Sequence, residues 1–175
     1  QKRSYGTIKL DKAGTNIAEY LQSIRDLDVQ AFNGIVETLR VVLPYVEDLQ
    51  PEITSELDCK VYLMMSEDKI AGKQPGWLLS TGTLRILALL SVLRHPEPPQ
   101  VIIIEEIENG LDPRTIHLLV DEIRNFVESG CGQVIATTHS PYLLDLLKLS
   151  QLIVVGRDES GSPVFTRPAS QKSLE

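Results

Sequence analysis

The stretch "VIIIEEIENGLDP", Val101 to Pro113, constrains this chain more than any other. Val101 to Ile104 are branched and apolar without alternation, the pattern of a strand buried on both faces of a sheet. Glu105 and Glu106 then place two like charges at the strand's tip, where they repel each other and resist desolvation. A cation or a proton-seeking reactant beside them would make the pair tolerable. The same acids also read as the start of a solvated loop, so alone they leave the chemistry open.

Strands and helices alternate around this stretch. "NIAEYLQSIRDLD" begins with Asn16 as an N-cap, with Glu19 at capping-box spacing and Ile17, Tyr20, Leu21, Ile24 and Leu27 at helical intervals. "AFNGIVETLRVVLPYV" predicts a second helix that Pro44 ends. "LDCKVYLMM" predicts a strand, and "SEDKIAGKQPG" a polar loop. From Trp77 the rhythm changes: an apolar helix over Thr83 to Arg94, a proline loop "HPEPPQ", then the strand at Val101. Asp112 is placed to cap a helix with Pro113 at its first position. "SGCG" breaks that helix, "QVIATT" is the next strand, and Ser140-Pro141 opens another helix. "QLIVV" and "VFT", joined by "GRDESGSP", read as a closing β-hairpin. The expected fold is α/β, a mainly parallel sheet flanked by helices on both faces. Residues 1–76 form a helical segment leading into a strand and loop, and 77–175 form the lobe that carries the chemistry.

Composition excludes some functions. A net charge of −7 over 175 residues argues against a surface that attracts nucleic acid or anionic lipid as a whole, and no basic-aromatic stripe appears. No apolar run reaches the roughly 18 residues of a membrane span, and no secretory pattern opens the chain. Cys59 and Cys131 lie too far apart in sequence for a ligand-spaced cluster and read as reduced thiols, so the expected compartment is the cytoplasm. The chain opens at Gln1 rather than at methionine, which suggests a piece of a longer protein.

In sheets of this kind ligands sit beyond the carboxyl ends of the strands. Glu105 and Glu106 occupy one such end, and Thr137, Thr138 and His139 the next. If the two strands are neighbours, two carboxylates, two hydroxyls and an imidazole line one crevice, a set suited to a divalent cation with a polyphosphate. Ser80, Thr81 and Gly82 stand just before a helix. They read either as an ordinary cap or as an anion site built from helix-start N–H groups, a hydroxyl and a glycine that permits close approach. His95, in a proline loop, and His117, inside a helix, read as structural.

The order of these elements resembles the C-terminal half of an ABC-type ATPase head, of the SMC, RecF-like and OLD-like kind. "LSTGT" is similar to the ABC signature, "VIIIEE" to Walker B with its glutamate, "NGLDP" to the D-loop and "TTHS" to the histidine switch. "GTNIAEYL" and "LSTGTLRILALL" look most like the predicted ATPases of the AbiEii/RecF-like group. The resemblance implies Mg²⁺ and ATP, with Glu105 in the metal shell, Glu106 as general base and His139 as γ-phosphate switch. It places Ser80, Thr81 and Gly82 against ATP held by an opposite protomer, and Asp112 in communication across that dimer.

This chain departs from the family pattern at three places. Glu105 stands where Walker B has aspartate, and Thr81 where the signature has its first glycine. No Walker A loop is present: Gly72-Lys73 is followed by Gln74, and Glu67 occupies the place of the first glycine. The resemblance therefore puts Walker A upstream of Gln1 or on a complementing chain. Two functions compete: an Mg²⁺-dependent ATPase head that dimerises around ATP, or a silent lobe that completes a partner's ATP site. The first implies DNA transactions or phage defence, with any nucleic-acid contact made through the full-length protein and no membrane. A TOPRIM-type nuclease fits less well, since no Asp-x-Asp follows a later strand.

Overall fold

The structure, a computed structural model, describes residues 8–54 and 60–170. It divides between Thr137 and Thr138 into two compact units. The first holds helices α1 (Ile17–Leu27) and α2 (Val29–Val42), strands β1 (Val46–Ile53), β2 (Val61–Glu67) and β3 (Lys73–Pro75), helix α3 (Thr81–Leu93), strand β4 (Val101–Ile104), helix α4 (Pro113–Glu128) and strand β5 (Gln133–Ala136). The second holds a short helix α5 (Pro141–Asp145) and a hairpin of β6 (Val154–Arg157) and β7 (Pro163–Thr166). The α/β character and the closing hairpin agree with expectation. Cys59 lies outside the described residues, and Cys131 is an exposed free thiol.

Strands β1, β2 and β3 form an antiparallel sheet in that order, while β4 pairs with β5 in parallel. Strand β1 is hard to see in the sequence for two reasons. Pro51 sits inside it, which an edge strand tolerates because one row of its N–H groups needs no ladder partner. Its alternation is also broken: Val46, Leu49 and Pro51 are buried. The pairing supplies the reason, since Val46 and Asp48 oppose the consecutive residues Glu67 and Ser66. The extra residue, Glu47, is a bulge that flips the phase of the strand.

Helices α1 and α2 press Leu21, Ile24, Phe32, Ile35 and Leu39 into the core beside Leu49 and Met65 of the sheet. Helix α2 stops at Val42, before Pro44. Asn16 sits at the N-cap of α1 but makes no side-chain cap bond. Its amide instead donates to Lys9 O and accepts from Asp11 N, tying down the preceding loop. Helix α3 buries Ile86, Leu87 and Leu90, and α4 buries Ile116, Leu119 and Phe126. Arg94 of α3 makes a paired bond to Glu122 of α4, at 2.7 Å from Nε and 3.0 Å from the terminal nitrogen. His95 is buried, stacks on Tyr20 and accepts from Glu97 N, a structural role. His117 lies on α4 beside Asp121 at 3.4 Å.

One expectation fails. Strand β4 was expected to be covered on both faces, yet it alternates: Ile102 and Ile104 are buried, while Val101 and Ile103 are 51% and 73% exposed. Ile135 of β5 is open as well, at 49%. Aliphatic content reports that a face prefers to be dry. It cannot report which element, if any among the described residues, covers it.

Candidate functional site

Strands β4 and β5 are neighbours, in register from Val101 with Gln133 to Ile104 with Ala136. Their carboxyl ends therefore coincide, and the two acids emerge beside Thr137. The ladder continues one step past β4, with Thr137 N donating to Ile104 O at 2.9 Å. The chain then turns sharply. Glu106 adopts φ +45°, a left-handed conformation that residues with a side chain rarely visit. Three contacts hold it there. Glu106 N donates to Thr137 Oγ1 at 2.9 Å, Ile107 N donates to Thr137 O at 3.1 Å, and Asn109 N donates to Glu106 O at 2.9 Å. Ile107, 2% exposed, anchors the turn in the core and leaves both carboxylates facing solvent.

A fourth contact was not anticipated. One terminal nitrogen of Arg85 donates to Glu105 O at 2.6 Å and to Glu106 O at 2.7 Å. A signal for it existed. Arg85 is the sole charged residue in the thirteen-residue apolar helix α3, and a charge in such a helix requires a partner.

A second cluster forms where α3 meets the loop before α4. Ser80 caps α3, accepting from Thr83 N at 3.0 Å, and its oxygen lies 2.8 Å from Thr83 Oγ1. Thr83 Oγ1 is in turn 3.0 Å from the Tyr45 hydroxyl. Gly82 faces Gly110, so closely that a Cβ on Gly82 would lie 2.3 Å from Gly110 O. Gly110 itself has φ +74° and runs past Thr81 Oγ1. A cleft of about 140 Å³ between these segments is lined by Tyr45, Ser80, Gly82, Thr83, Gly110 and Asp112, among others. Ser80 and Gly82 thus have architectural duties whatever they bind. The cap reading of Ser80 holds in this structure.

Asp112 caps α4, accepting from Arg114 N at 3.0 Å, Thr115 N at 3.1 Å and Thr115 Oγ1 at 2.6 Å. The Thr115 hydroxyl, then the Thr115 and Arg114 amides, hold its carboxyl below the ordinary carboxylate range. A depressed folded-state pKa gives stability that is present above the unfolded value near ~4 and is lost as pH falls through the lowered folded value. Asp112→Ala should cost about 1 kcal/mol at pH 7, as other N-cap deletions do. Asp112→Asn should keep most of the cap and flatten the acid limb, both read from urea unfolding across pH 2 to 7.

His139 follows β5 and belongs to the second unit. There Ser140 N donates to Thr138 Oγ1 at 3.0 Å, and Ser140 caps α5 through Leu143 N at 3.3 Å. The structure therefore brings Glu105, Glu106 and Thr137 together, and Ser80, Thr81, Gly82 and Asp112 together. Among the described residues no three His, Cys, Asp or Glu side chains gather to hold a metal. Glu105 and Glu106 could still serve a hard cation that takes one or two carboxylates and completes its shell with water and phosphate, as Mg²⁺ does. No described helix is long and apolar enough to cross a membrane.

Residues 2–145 match the AAA_21 family model, described as "AAA domain, putative AbiEii toxin, Type IV TA system". A curated relative, "Putative ABC transporter ATP-binding protein TTE0246" of Caldanaerobacter subterraneus subsp. tengcongensis, is 28% identical over 141 residues. That match covers 78% of this chain but 57% of the relative, so the chain spans little more than half of that protein's length. Among solved structures, one from a study of "ATP-driven dimerization and DNA stimulated activation of SMC ATPases" superposes with a TM-score of 0.63 at 14% identity, covering 83% of this chain and 88% of that one. The Smc head domain of Pyrococcus furiosus, with an extended coiled coil and bound to the C-terminal domain of ScpA, superposes with a TM-score of 0.64 at 14% identity, covering 85% of this chain and 37% of that one. The chain belongs to the AAA_21 family and has the fold of an ABC-type, SMC-like ATPase head.

Proposed function

We propose that this chain is the signature-bearing lobe of an Mg²⁺-dependent ATPase head, completed by a Walker A lobe elsewhere in the protein or on a partner. The observation that carries the reading is the turn after β4. A left-handed glutamate, fastened by its backbone to Thr137 and Arg85, presents a carboxylate into solvent at the end of a parallel strand pair. Such strain persists where the surroundings over-determine it, characteristically at functional sites.

In this reading Glu105 would hold Mg²⁺, which neutralises charge on the phosphates when bound. Glu106 orients and deprotonates the attacking water, and His139 senses the terminal phosphate. Ser80, Thr81 and Gly82 meet ATP bound to the opposite protomer, and Asp112 lines the dimer seam. The hydroxyl chain suits Ser80 to this task. With Tyr45 donating to Thr83 and Thr83 to Ser80, the Ser80 oxygen accepts from both the Thr83 amide and hydroxyl. Its own hydrogen is then left to donate to an anion. ATP-driven dimerisation and DNA stimulation, named for the SMC ATPase of similar fold, and the toxin–antitoxin description of the family support a role in DNA transactions or phage defence.

The open face of Val101, Ile103 and Ile135 supports the missing lobe, and equally the alternative of a silent lobe completing a partner's site. The two separate on one experiment. ATPase activity of the full-length protein supports the enzyme, whereas activity only on mixing with a second Walker A-bearing chain supports the complementing lobe. The 175-residue chain alone should show no turnover and no saturable Mg·ATP binding by calorimetry. Tight binding by the isolated chain would refute the missing-lobe reading. Ile103→Ser gives an independent check. It should move the stability of this chain by less than about 0.5 kcal/mol, yet cost the full-length protein about 1.5–3 kcal/mol if Ile103 is buried there.

A further inference from the structure

Two successive carbonyls on one nitrogen are geometrically unusual. In an extended strand consecutive carbonyls point to opposite sides, so a single donor reaches only one of them. Arg85 reaches both Glu105 O and Glu106 O, at 2.6 and 2.7 Å, because the chain leaves the strand through the left-handed residue Glu106. The paired hydrogen bond therefore depends on the turn, and it adds a fourth hold to the three contacts made by Thr137 and Asn109. Among the described residues Arg85 Nε is meanwhile buried without a hydrogen-bond partner, a cost the guanidinium bears in this position. The only cation of α3 thus holds backbone oxygens at the acid tip and leaves one of its own donors unsatisfied. Opposite it, Thr137 takes the Glu106 amide.

We propose that Arg85 is a positioning residue: it fixes the left-handed turn at Glu106 and so aims the carboxylate, while touching neither substrate nor metal. This rests on the role assigned above to Glu106, but the mechanical half can be tested without catalysis. If Arg85 holds a strained turn, Glu106→Gly, which removes the strain, should make Arg85 less necessary. In urea unfolding of the 175-residue chain, Arg85→Ala should lower the midpoint, and in the Glu106→Gly background the drop should be half or less. Equal drops in both backgrounds overturn the proposal, because independent sites add.

The catalytic half uses the full-length protein. Arg85→Ala should lower kcat by about 10- to 100-fold, the scale of a misplaced catalytic group, with KM for ATP within about threefold. Millimolar guanidinium should restore part of the loss. Added to Glu106→Gln, Arg85→Ala should slow turnover no further. Should the alanine variant not fold, Arg85→Lys carries the test, because an ammonium retains charge but not the planar fork. Wild-type turnover in a folded Arg85 variant, or a multiplicative loss in the double variant, overturns the proposal. If Glu106→Gln itself leaves turnover unchanged while the unfolding cycle shows coupling, the reading of Glu106 fails and the turn-holding role of Arg85 stands.

Discussion

Glu106→Gln in the full-length protein is expected to lower ATP turnover by about 100- to 1,000-fold, within the range lost on removing a general base. The side chain keeps its size, and the amide can still accept from Asn109 Nδ2, which lies 3.4 Å from the carboxylate. The loss would therefore report the missing basicity rather than a collapsed turn. ATP binding should survive, and an ATP-bound dimer should accumulate, visible by size-exclusion chromatography with light scattering. Glu106→Gly sharpens the case. At φ +45° glycine carries no Cβ penalty, so this variant should be as stable as the parent or more so, by up to about 1 kcal/mol, yet equally inactive. Turnover unchanged in the glutamine variant would remove Glu106 from the chemistry. A marked loss of stability in the glycine variant would show that the turn is not strained.

The second large effect concerns the fold beneath the site. A methyl group on Gly82 would sit 2.3 Å from Gly110 O, a backbone atom that no rotamer change can move aside. Either the start of α3 or the loop before α4 must shift. Gly82→Ala should cost about 1–3 kcal/mol, lowering the thermal midpoint by about 2–4 °C per kcal/mol. Gly34→Ala is the contrast. Gly34 lies inside α2, where an added Cβ would find its nearest neighbour at 4.0 Å, so alanine should be neutral or stabilising by up to about 1 kcal/mol. Circular dichroism melts of the two variants decide the point. If both melt alike, the close approach of Gly82 and Gly110 is not what stabilises this corner.

The two glycines show why the legible and illegible parts of this protein differ. Capping was readable at Ser80, Asp112 and Ser140, because a cap bond spans two or three residues and depends on little else. Asn16 is the instructive exception. It has the right residue type and spacing, but the loop before it offered Lys9 O and Asp11 N, and the side chain took those instead. The order of motifs from Leu79 to Ser140 was likewise present in the sequence, since a family resemblance is a property of residue order.

The sequence by itself determined which residue types stand at the strand tips, which helices start where, and to which family the motif order points. Tertiary structure alone decided that Glu106 turns left-handed, that Arg85 grips the two carbonyls 20 and 21 residues away, and that Thr137, 31 residues on, takes the Glu106 amide. It also decided that a bulge at Glu47 resets β1 and that Ile103 faces outward. The physical reason is range. Propensity and capping act within about one helical turn. Strain, close backbone approach and the covering of a face depend on which distant segment arrives alongside.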